Sequence, residues 1–317
     1  MRPWKLGDLV ETRVAFGEGL LEAGRRNANV VVLDADLQRS NRTFAYGQAN
    51  PGKLYDMGIA EADMVSTAAG MASMGFTVFA ASFAMFVPGR CYDQIRLMAA
   101  YANADIKLVG SSSGLTHGAD GATHQALDDV GLMRQLPNMT VIVPADAEEA
   151  YQAVLKAAEI KGPVYLRFGR YPTPVLFQEA DHFEIGKATV LRPGTDIAMF
   201  ANGIMVAKAL QAAENLKSAG IDSTVINVST VKPLDRDAIR AHSRGKRLIV
   251  TLEEHSILNG LGSAVAEQLS EAGGMAPLLR IGVNDLFGQS GKADELLELY
   301  GLSAPAITRR IQAALAA

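Results

Sequence analysis

The chain has 317 residues, of which 49% are hydrophobic and 20% are charged, and its formal net charge is −4. This length is sufficient for two domains with separate cores, and the mildly acidic balance gives no reason to expect nucleic acid or an anionic membrane as partner. The single cysteine, Cys91, excludes an intrachain disulfide. Such sparse use of cysteine fits a reducing cytoplasm best, and we expect a cytoplasmic protein. The N-terminus is too polar for a signal peptide, and no apolar run is long enough to span a bilayer.

The first part of the chain alternates between predicted helices and strands. Residues 10–25 predict an amphipathic helix, and the nearly continuous apolar run NVVVLDADL predicts a strand covered on both faces. The later predicted elements are strand FTVFAAS, helix DQIRLMAAYAN, strands DIKLVGSSS and TVIVPAD, helix AEEAYQAVLKAAEIK and strand GPVYLRFG. Such alternation is typical of an α/β domain with a mainly parallel sheet.

The segment RYPTPVLFQEADHFEIG interrupts this alternation and predicts a linker, with an edge hairpin as an option. The alternation then resumes through strand DIAMFAN, a helix near 205–219, strand DSTVINV, a helix near 235–243, strand RLIVTLEE, a helix over 260–272 and strand PLLRIGV. We therefore predict two doubly wound α/β domains with mainly parallel sheets, at residues 1–180 and 181–317.

The stretch GADGATHQ, residues 118–125, combines two glycines, an acid and a histidine after a predicted strand. Loops at the carboxyl ends of parallel strands line ligand crevices, and glycines let the backbone approach a ligand closely. An ordinary surface loop has a similar composition, so the loop alone does not decide between the two. His124 is a candidate acid or base because the unperturbed imidazole pKa lies near neutrality.

Other familiar chemical motifs are missing from the sequence. The five histidines show no metal-ligand spacing, and we expect no metal site made by this chain alone. There is no GxSxG elbow and no Walker loop. Taken singly, Phe83 and Phe86 could equally be core residues, and Arg13, Ser40 and Arg170 could be surface residues.

Seven stretches together resemble the C-terminal half of a transketolase, in the order that this family has them. The resemblance covers essentially the whole chain and implies a pyrimidine-binding domain followed by a small C-terminal domain. The stretches are DADLQRSN (34–41), GIAEADMVSTAAGMA (58–72), SFAMF (82–86), GADGATHQ (118–125), GPVYLRFGR (162–170), STVKPLD (229–235) and EEHSILNGLGSAVAE (253–267).

The resemblance implies thiamine diphosphate as cofactor, together with Mg²⁺. Glu61 matches the glutamate that hydrogen-bonds the cofactor's aminopyrimidine, so that the pyrimidine can take the proton from the thiazolium C2. Phe83 and Phe86 match aromatic positions around that ring, with Phe86 expected to stack on it. Asp36 matches a further residue of the cofactor pocket.

The same resemblance implies a set of substrate-binding residues. Asp120 matches an aspartate that contacts a hydroxyl of the sugar donor, and His124 matches a histidine that stabilises charge or moves a proton there. Arg13, Ser40 and Arg170 match three positions that hold the terminal phosphate of the sugar. A phosphorylated sugar, or one with an isosteric anion such as a sulfonate, is the expected substrate.

The sequence departs from the family pattern in two respects. Ser112 stands where many transketolases have a phosphate-contacting histidine. His117 lies in the same loop and could replace that histidine, but its spacing does not match, so both alternatives stay open. The substrate is therefore expected to differ from the usual pentose phosphates; apulose 4-phosphate and sulfosugars are options. The GDG…N motif that binds diphosphate and Mg²⁺ is also missing, so a separate N-terminal subunit is expected to supply it, in an α2β2 heterotetramer.

Three alternative functions remain at this point. The β subunit of a 2-oxo acid dehydrogenase has a similar architecture, but should lack Asp120 and the residues that match the phosphate site. A 1-deoxyxylulose-5-phosphate synthase has a loop of this kind, but is normally one long chain. A non-catalytic half-domain is disfavoured by the presence of Glu61, Asp120 and His124. We expect the C-terminal domain to be structural and to form interfaces.

Overall fold

The computed structural model describes residues 2–178, 181 and 183–316. Its strands are β1 Leu9–Val10, β2 Val30–Asp34, β3 Leu54–Asp56, β4 Thr77–Phe83, β5 Ile106–Ser111, β6 Thr140–Ile142, β7 Val164–Arg167, β8 Thr173–Pro174, β9 Thr189–Arg192, β10 Ile197–Ala201, β11 Ser223–Asn227, β12 Thr230–Lys232, β13 Leu248–Ser256 and β14 Leu278–Val283.

Its helices are α1 Thr12–Arg26, α2 Phe44–Ala49, α3 Glu61–Ser73, α4 Val87–Arg90, α5 Tyr92–Gln94, α6 Asp129–Gln135, α7 Ala147–Glu159, α8 Met205–Ser218, α9 Arg236–Ser243, α10 Leu261–Ala272, α11 Ala293–Leu299 and α12 Ala304–Ala316. A π-helical stretch, Ile95–Tyr101, follows α5. A 3₁₀ stretch over Leu115–Asp120 is interrupted at Gly118, whose backbone is not helical. No helix within the described residues has the length and apolar character needed to cross a bilayer.

Two large sheets organise the chain. The first has the order β12-β6-β7-β5-β4-β2-β3, and all its pairings are parallel except that of β12 with β6. The second has the order β14-β13-β10-β11-β9, with β9 antiparallel to β11. The predicted α/β class with mainly parallel sheets is confirmed.

The first sheet is covered on both faces, which explains its apolar strands. Val30 and Val32 of β2 belong to the core that includes residues of α1 and α7. Val31 and Leu33 of the same strand belong to the opposite core, which includes residues of α3 and the π-helical stretch. Since successive side chains of a strand point to opposite faces, a doubly covered strand must be apolar at every position.

The structure differs from the sequence-based prediction in three local respects. The predicted helix in residues 93–103 begins as α5 and widens into π-helical turns. In the predicted linker, where an edge hairpin was one option, Thr173–Pro174 instead pair with Leu9–Val10 near the N-terminus. Helix α3 was not predicted, since its small residues give little amphipathic contrast. Residues 179, 180 and 182, where the predicted domain boundary falls, lie outside the described residues.

The two parts of the chain are joined by a strand and a buried acid. Strand β12 from the C-terminal part extends the edge of the first sheet beside β6. Next to it, Glu149 of α7 accepts hydrogen bonds from Asn227 Nδ2 (2.7 Å) and Ser229 Oγ (2.5 Å). Burial, followed by the nearby charge of Asp146, raises the pKa of Glu149 to about 7. Burial also raises the pKa of Asp146 to about 6.

Candidate active site

The candidate site lies at the carboxyl edge of the first sheet. Five neighbouring strands, β7, β5, β4, β2 and β3, end at this edge, and loops that follow them carry the candidate residues. In open α/β sheets this edge is where ligands bind, because parallel strands present all their following loops on the same side. The residues that follow these strands are Arg170, Ser112, Asp120, His124, Phe86, Asp36, Ser40 and Glu61.

Glu61 is a buried carboxylate with movable partners. It is the first residue of α3 and only 1% exposed, so the positive end of the helix dipole lies near its negative charge. Ser82 Oγ donates to Glu61 Oε1 at 3.3 Å, and Arg90 Nη1 donates to Glu61 Oε2 at 2.8 Å. Asp63, two residues later, is exposed.

Four rings pack together beside Glu61. Phe83 and Phe86 have ring centroids 5.8 Å apart, and the ring of His124 lies 5.4 Å from Phe86 with an edge-on geometry. The ring of His117 lies 5.2 Å from Phe83 and 5.5 Å from His124. The guanidinium of Arg90 covers the Phe86 ring at 4.6 Å. An aromatic face and a carboxylate acceptor therefore lie side by side, and Arg90 contacts both.

Residues 114–125, named the donor loop here, depend on glycine for their path. Gly114 has φ 82°, and a Cβ atom there would meet the carboxylate of Glu254 at 2.3 Å. Gly121 has φ 78°, and its Cβ would meet Ser290 Oγ at 2.6 Å. An L side chain is disfavoured at both positions by backbone conformation and by space. The loop glycines therefore allow close contact with the C-terminal part of the chain.

The C-terminal part holds the donor loop through buried hydrogen bonds. Glu254 Oε1 accepts from the amide of Thr116 at 2.5 Å. Gln125 Nε2 donates to the carbonyl of Gln289 at 2.9 Å. Sequence reasoning missed Glu254, because nothing in its local pattern identifies a contact with residue 116.

Asp120 lies between a histidine and an arginine. Its Oδ2 lies 2.6 Å from His117 Nε2 and accepts from Arg170 Nη1 at 3.2 Å. Burial acts to raise the pKa of Asp120, but the interactions with His117 and then Arg170 leave that pKa below its ordinary value. Burial lowers the pKa of His117, against the raising effects of Ser112 and Asp120. His124 is half-buried, and its Nδ1 lies 3.0 Å from Thr123 Oγ1.

Arg13 lies beside the loop that carries Ser40. Arg13 Nη1 donates to the backbone carbonyl of Ser40 at 3.1 Å, and Arg13 Nε donates to Glu11 Oε2 at 2.6 Å. The amide of Arg13 also donates to the carbonyl of Gly169, next to Arg170. Both predicted anion-binding arginines thus contact carboxylates of this chain, Arg13 with Glu11 and Arg170 with Asp120. An incoming anion would compete with these carboxylates or bind the remaining N–H groups of the two guanidiniums.

Two of the predicted residues have left-handed backbone conformations. Asp36 has φ 60° and an exposed side chain, and Ser112 has φ 53° and is fully buried. Such conformations are uncommon outside glycine and cluster at functional sites. Asp34, which was not singled out, is the buried acid of this loop: it accepts from Asn41 Nδ2 at 2.9 Å and Thr43 Oγ1 at 2.7 Å.

A continuous series of hydrogen bonds and ring contacts connects most of the predicted residues of the candidate site. Successive contacts join Ser40, Arg13, Gly169 with Arg170, Asp120, His117, the aromatic rings, Arg90 and Glu61. The sequence analysis missed Arg90, although this residue ends the stretch SFAMFVPGR. It located His117 in the loop but predicted no contact partner for it. Among residues 2–178, 181 and 183–316, no group of three or more His, Cys, Asp or Glu side chains is arranged to hold a metal ion.

Family models match nearly the whole chain. Residues 8–174 match the transketolase pyrimidine binding domain, and residues 186–307 match the transketolase C-terminal domain. The first model covers the strands that carry the candidate site. The second model covers the sheet that supports the donor loop.

Individual proteins and a solved structure are similar along most of the chain. A putative transketolase C-terminal section from Methanocaldococcus jannaschii is 44% identical, with 94% of each protein covered. A 6-deoxy-6-sulfo-D-fructose transketolase subunit, SqwH, from a Clostridium species is 43% identical, with 94% of this chain and 92% of the relative covered. A structure described as a split gene transketolase, inactive beta4 tetramer, has a TM-score of 0.90 and 44% identity, over 97% of this chain and 99% of that one.

Proposed function

Because the chain belongs to the transketolase family, we propose that it is the C-terminal subunit of a split, thiamine-diphosphate-dependent transketolase. In this proposal it transfers a two-carbon ketol unit between sugars with a terminal phosphate or sulfonate. The observation that carries the proposal is the connected set of contacts from Ser40 to Glu61 along one sheet edge. These contacts join a predicted anion site, a predicted hydroxyl-binding acid and a predicted cofactor acid.

The residues at Glu61 fit the aminopyrimidine of thiamine diphosphate. A planar, nitrogen-rich ring needs an aromatic surface and a carboxylate within hydrogen-bond reach, and Phe86 and Glu61 supply both. The cofactor, when bound, supplies the nucleophilic carbon that accepts the ketol unit. Glu61 holds the pyrimidine by a hydrogen bond and controls its proton, while Phe83 and Phe86 orient the ring. Arg90 has to withdraw from Phe86 and Glu61 to admit it.

The donor loop supplies the polar contacts to the ketose. Asp120 is half exposed and ionised because its pKa is low, so it can accept a hydrogen bond from a donor hydroxyl. In this proposal His124, at the edge of the aromatic cluster, moves a proton or stabilises charge on the donor's oxygens. Asp36, in its exposed left-handed turn, completes the cofactor side.

The anion end of the substrate is bound by Arg13, Arg170 and Ser40 in this proposal. Charge-assisted hydrogen bonds from two guanidiniums can hold a phosphate or a sulfonate. Ser112 is uncharged and buried, and its Oγ has no hydrogen-bond partner in the described part of the chain. A smaller, uncharged side chain at this position favours a donor other than the usual pentose phosphate. The sulfosugar named for one relative provides one candidate class.

The diphosphate and Mg²⁺ are assigned to a separate N-terminal subunit. The two family models that match here are the pyrimidine-binding and C-terminal domains, and two similar proteins are named as a section and a subunit. We propose an α2β2 assembly in a cytoplasmic enzyme, with the cofactor bound between the two kinds of subunit.

The test is a ketol-transfer screen of this chain with and without its diphosphate-binding partner. Fructose 6-phosphate, xylulose 5-phosphate, apulose 4-phosphate and 6-deoxy-6-sulfofructose serve as donors, in the presence of thiamine diphosphate and Mg²⁺. We expect transfer only from the two-subunit mixture and with anionic donors. Full activity of this chain alone would refute the split arrangement, and no transfer from any donor would refute the function.

Replacement of Arg170 tests the proposed anion site separately. Arg170→Met should raise KM for anionic donors by about tenfold or more, with a much smaller effect on the uncharged ketose erythrulose. Arg25→Met, on the exposed side of α1, should leave both values unchanged. Equal losses with charged and uncharged donors would remove Arg170 from the anion site.

A further inference from the structure

His117 is a buried titratable side chain of the donor loop to which the proposed function gives no role. Its imidazole is enclosed in the 3₁₀ stretch and packs against Phe83 and His124. Its Nδ1 lies 2.6 Å from the backbone carbonyl of Ser112, and its Nε2 lies 2.6 Å from Asp120 Oδ2. Both ring nitrogens therefore face oxygen acceptors at short distances.

The two contacts fix where the protons of His117 must lie. A carbonyl oxygen only accepts, so Nδ1 carries a proton. Asp120 is half exposed and also bound by Arg170, which favours its carboxylate form. A hydrogen bond from Nε2 to that carboxylate then requires the doubly protonated imidazolium.

Burial acts against the imidazolium and lowers the pKa of His117. The Nε2 proton is therefore present at low pH and is lost as pH rises through the pKa of His117. The other charged or titratable groups around the ring are Arg170, His124 and Glu254, whose carboxylate accepts from the amide of Thr116 next to His117. Arg170 opposes protonation of His117, while Asp120 supports it.

We propose that His117 is a positioning residue for the ketose donor: its Nε2–H holds Asp120 Oδ2, and this leaves the second oxygen of Asp120 free to accept from a donor hydroxyl. The inference rests on the proposed function of this site. When the proton is lost, the Nε2 lone pair faces the carboxylate, and Asp120 keeps only its exposed contact with Arg170. Donor affinity then falls, while the proton transfer that involves Glu61 is unchanged.

The coupling between His117 and Asp120 can be measured on the full chain without cofactor or partner. Histidine ¹⁵N NMR titration should show that Asp120→Asn lowers the pKa of His117 by about one unit, a tenfold change in its protonation equilibrium. His117→Gln identifies the signal, and His242→Gln on α9 is the matched control. An unchanged His117 titration in Asp120→Asn would overturn the inference, whatever the activity of the enzyme.

The consequence for the donor is measured in the two-subunit enzyme. His117→Phe should raise KM for the donor by about tenfold, with a much smaller change in kcat. His117→Gln keeps a neutral N–H donor, so it should restore much of the affinity and remove the rise of KM at higher pH. Loss of kcat at unchanged KM, or a wild-type pH profile of KM in His117→Gln, would overturn the inference.

The two measurements separate failure of this inference from failure of the proposed function. If the wild-type mixture transfers no ketol unit from any donor, the proposed function falls, and the NMR titration alone decides whether His117 holds Asp120. If His117→Phe does not fold, as judged by circular dichroism, the pH dependence of KM in His117→Gln provides the kinetic comparison.

Discussion

The two parts of the chain each have a buried glutamate whose carboxylate lies beside the start of a helix, but the two carboxylates have different partners. Glu61 begins α3 and contacts the side chains of Ser82 and Arg90. Glu253 lies in β13, and its oxygens accept from the backbone amides of Leu261 and Gly262 at the start of α10, at 2.7 and 2.8 Å. Side chains can rotate away from a carboxylate to admit a ligand, whereas helix amides cannot. The comparison teaches that a buried acid is a candidate cofactor ligand when its partners are movable.

Replacement of Glu61 tests the functional side of this comparison and should have the largest effect. Glu61→Gln keeps the shape of the side chain but removes its charge and its control of the pyrimidine proton. We expect ketol transfer by the two-subunit enzyme to fall by about 10²-fold or more. Asp63→Asn, exposed on the same helix, is the matched control and should retain normal rates. Near-normal activity of Glu61→Gln would contradict its assigned role.

Replacement of Glu253 tests whether this buried glutamate serves the stability of the fold. Glu253→Ala leaves two buried helix amides without acceptors, at about 1–3 kcal/mol each. We expect the free energy of unfolding in urea to fall by roughly 2–6 kcal/mol. Glu271→Ala, exposed on α10, is the control. If Glu253→Ala lost much activity per folded molecule and no stability, Glu253 would have a functional role like that proposed for Glu61, and the comparison would fail.

The joint between the two parts should make stability pH-dependent. The pKa of Glu149 is raised from 4.5 to about 7, so the folded state binds more protons between these values. Glu149 therefore contributes on the order of 3 kcal/mol to the free energy of unfolding. This contribution is fully present below the pKa of the unfolded state and is lost as pH rises through about 7. The free energy of unfolding should therefore change less between pH 5 and pH 8 in Glu149→Gln than in the wild type. Glu159→Gln, exposed on the same helix, should keep the wild-type difference.

Glu254 tests whether the C-terminal part affects the site from a distance. Glu254→Ala leaves the buried amide of Thr116 without an acceptor, which costs about 1–3 kcal/mol and loosens the donor loop. We expect lower stability and a severalfold higher KM for the donor. Glu254→Gln retains an acceptor oxygen and should have the smaller effect. Equal KM values in all three proteins would restrict the C-terminal part to a purely structural role.

The sequence was informative where a local pattern reflects a local cause. The apolar run from Val30 to Leu33 predicted a covered strand, because both faces of β2 are buried. The order of motifs predicted the two α/β domains, which the family models also match. Glu61 was singled out within an apolar stretch, and it is buried. Its catalytic role stays a prediction.

Contacts between distant residues were not accessible in the same way. Strand β12 has three residues and joins a sheet whose other strands end before residue 168, so no local periodicity reveals its partner. The contact of Glu254 with Thr116 spans 138 positions. The sequence left open whether His117 replaces the family histidine, because its spacing differs from the family pattern. The contact of His117 with Asp120 depends on the non-helical turn at Gly118, which has φ 79° and which the spacing does not reveal.

Strand β12 also limits how the molecule can move. Since its backbone is paired with β6 and Glu149 ties the adjoining residues to α7, the two sheets cannot swing apart about a simple hinge without breaking these bonds. Substrate entry by a wide opening between the two parts is therefore disfavoured. Smaller motions remain available: rotation of the Arg90 side chain away from Phe86, or adjustment of the donor loop. Access to the site is therefore expected to depend on movements of side chains and of the donor loop rather than on separation of the two sheets.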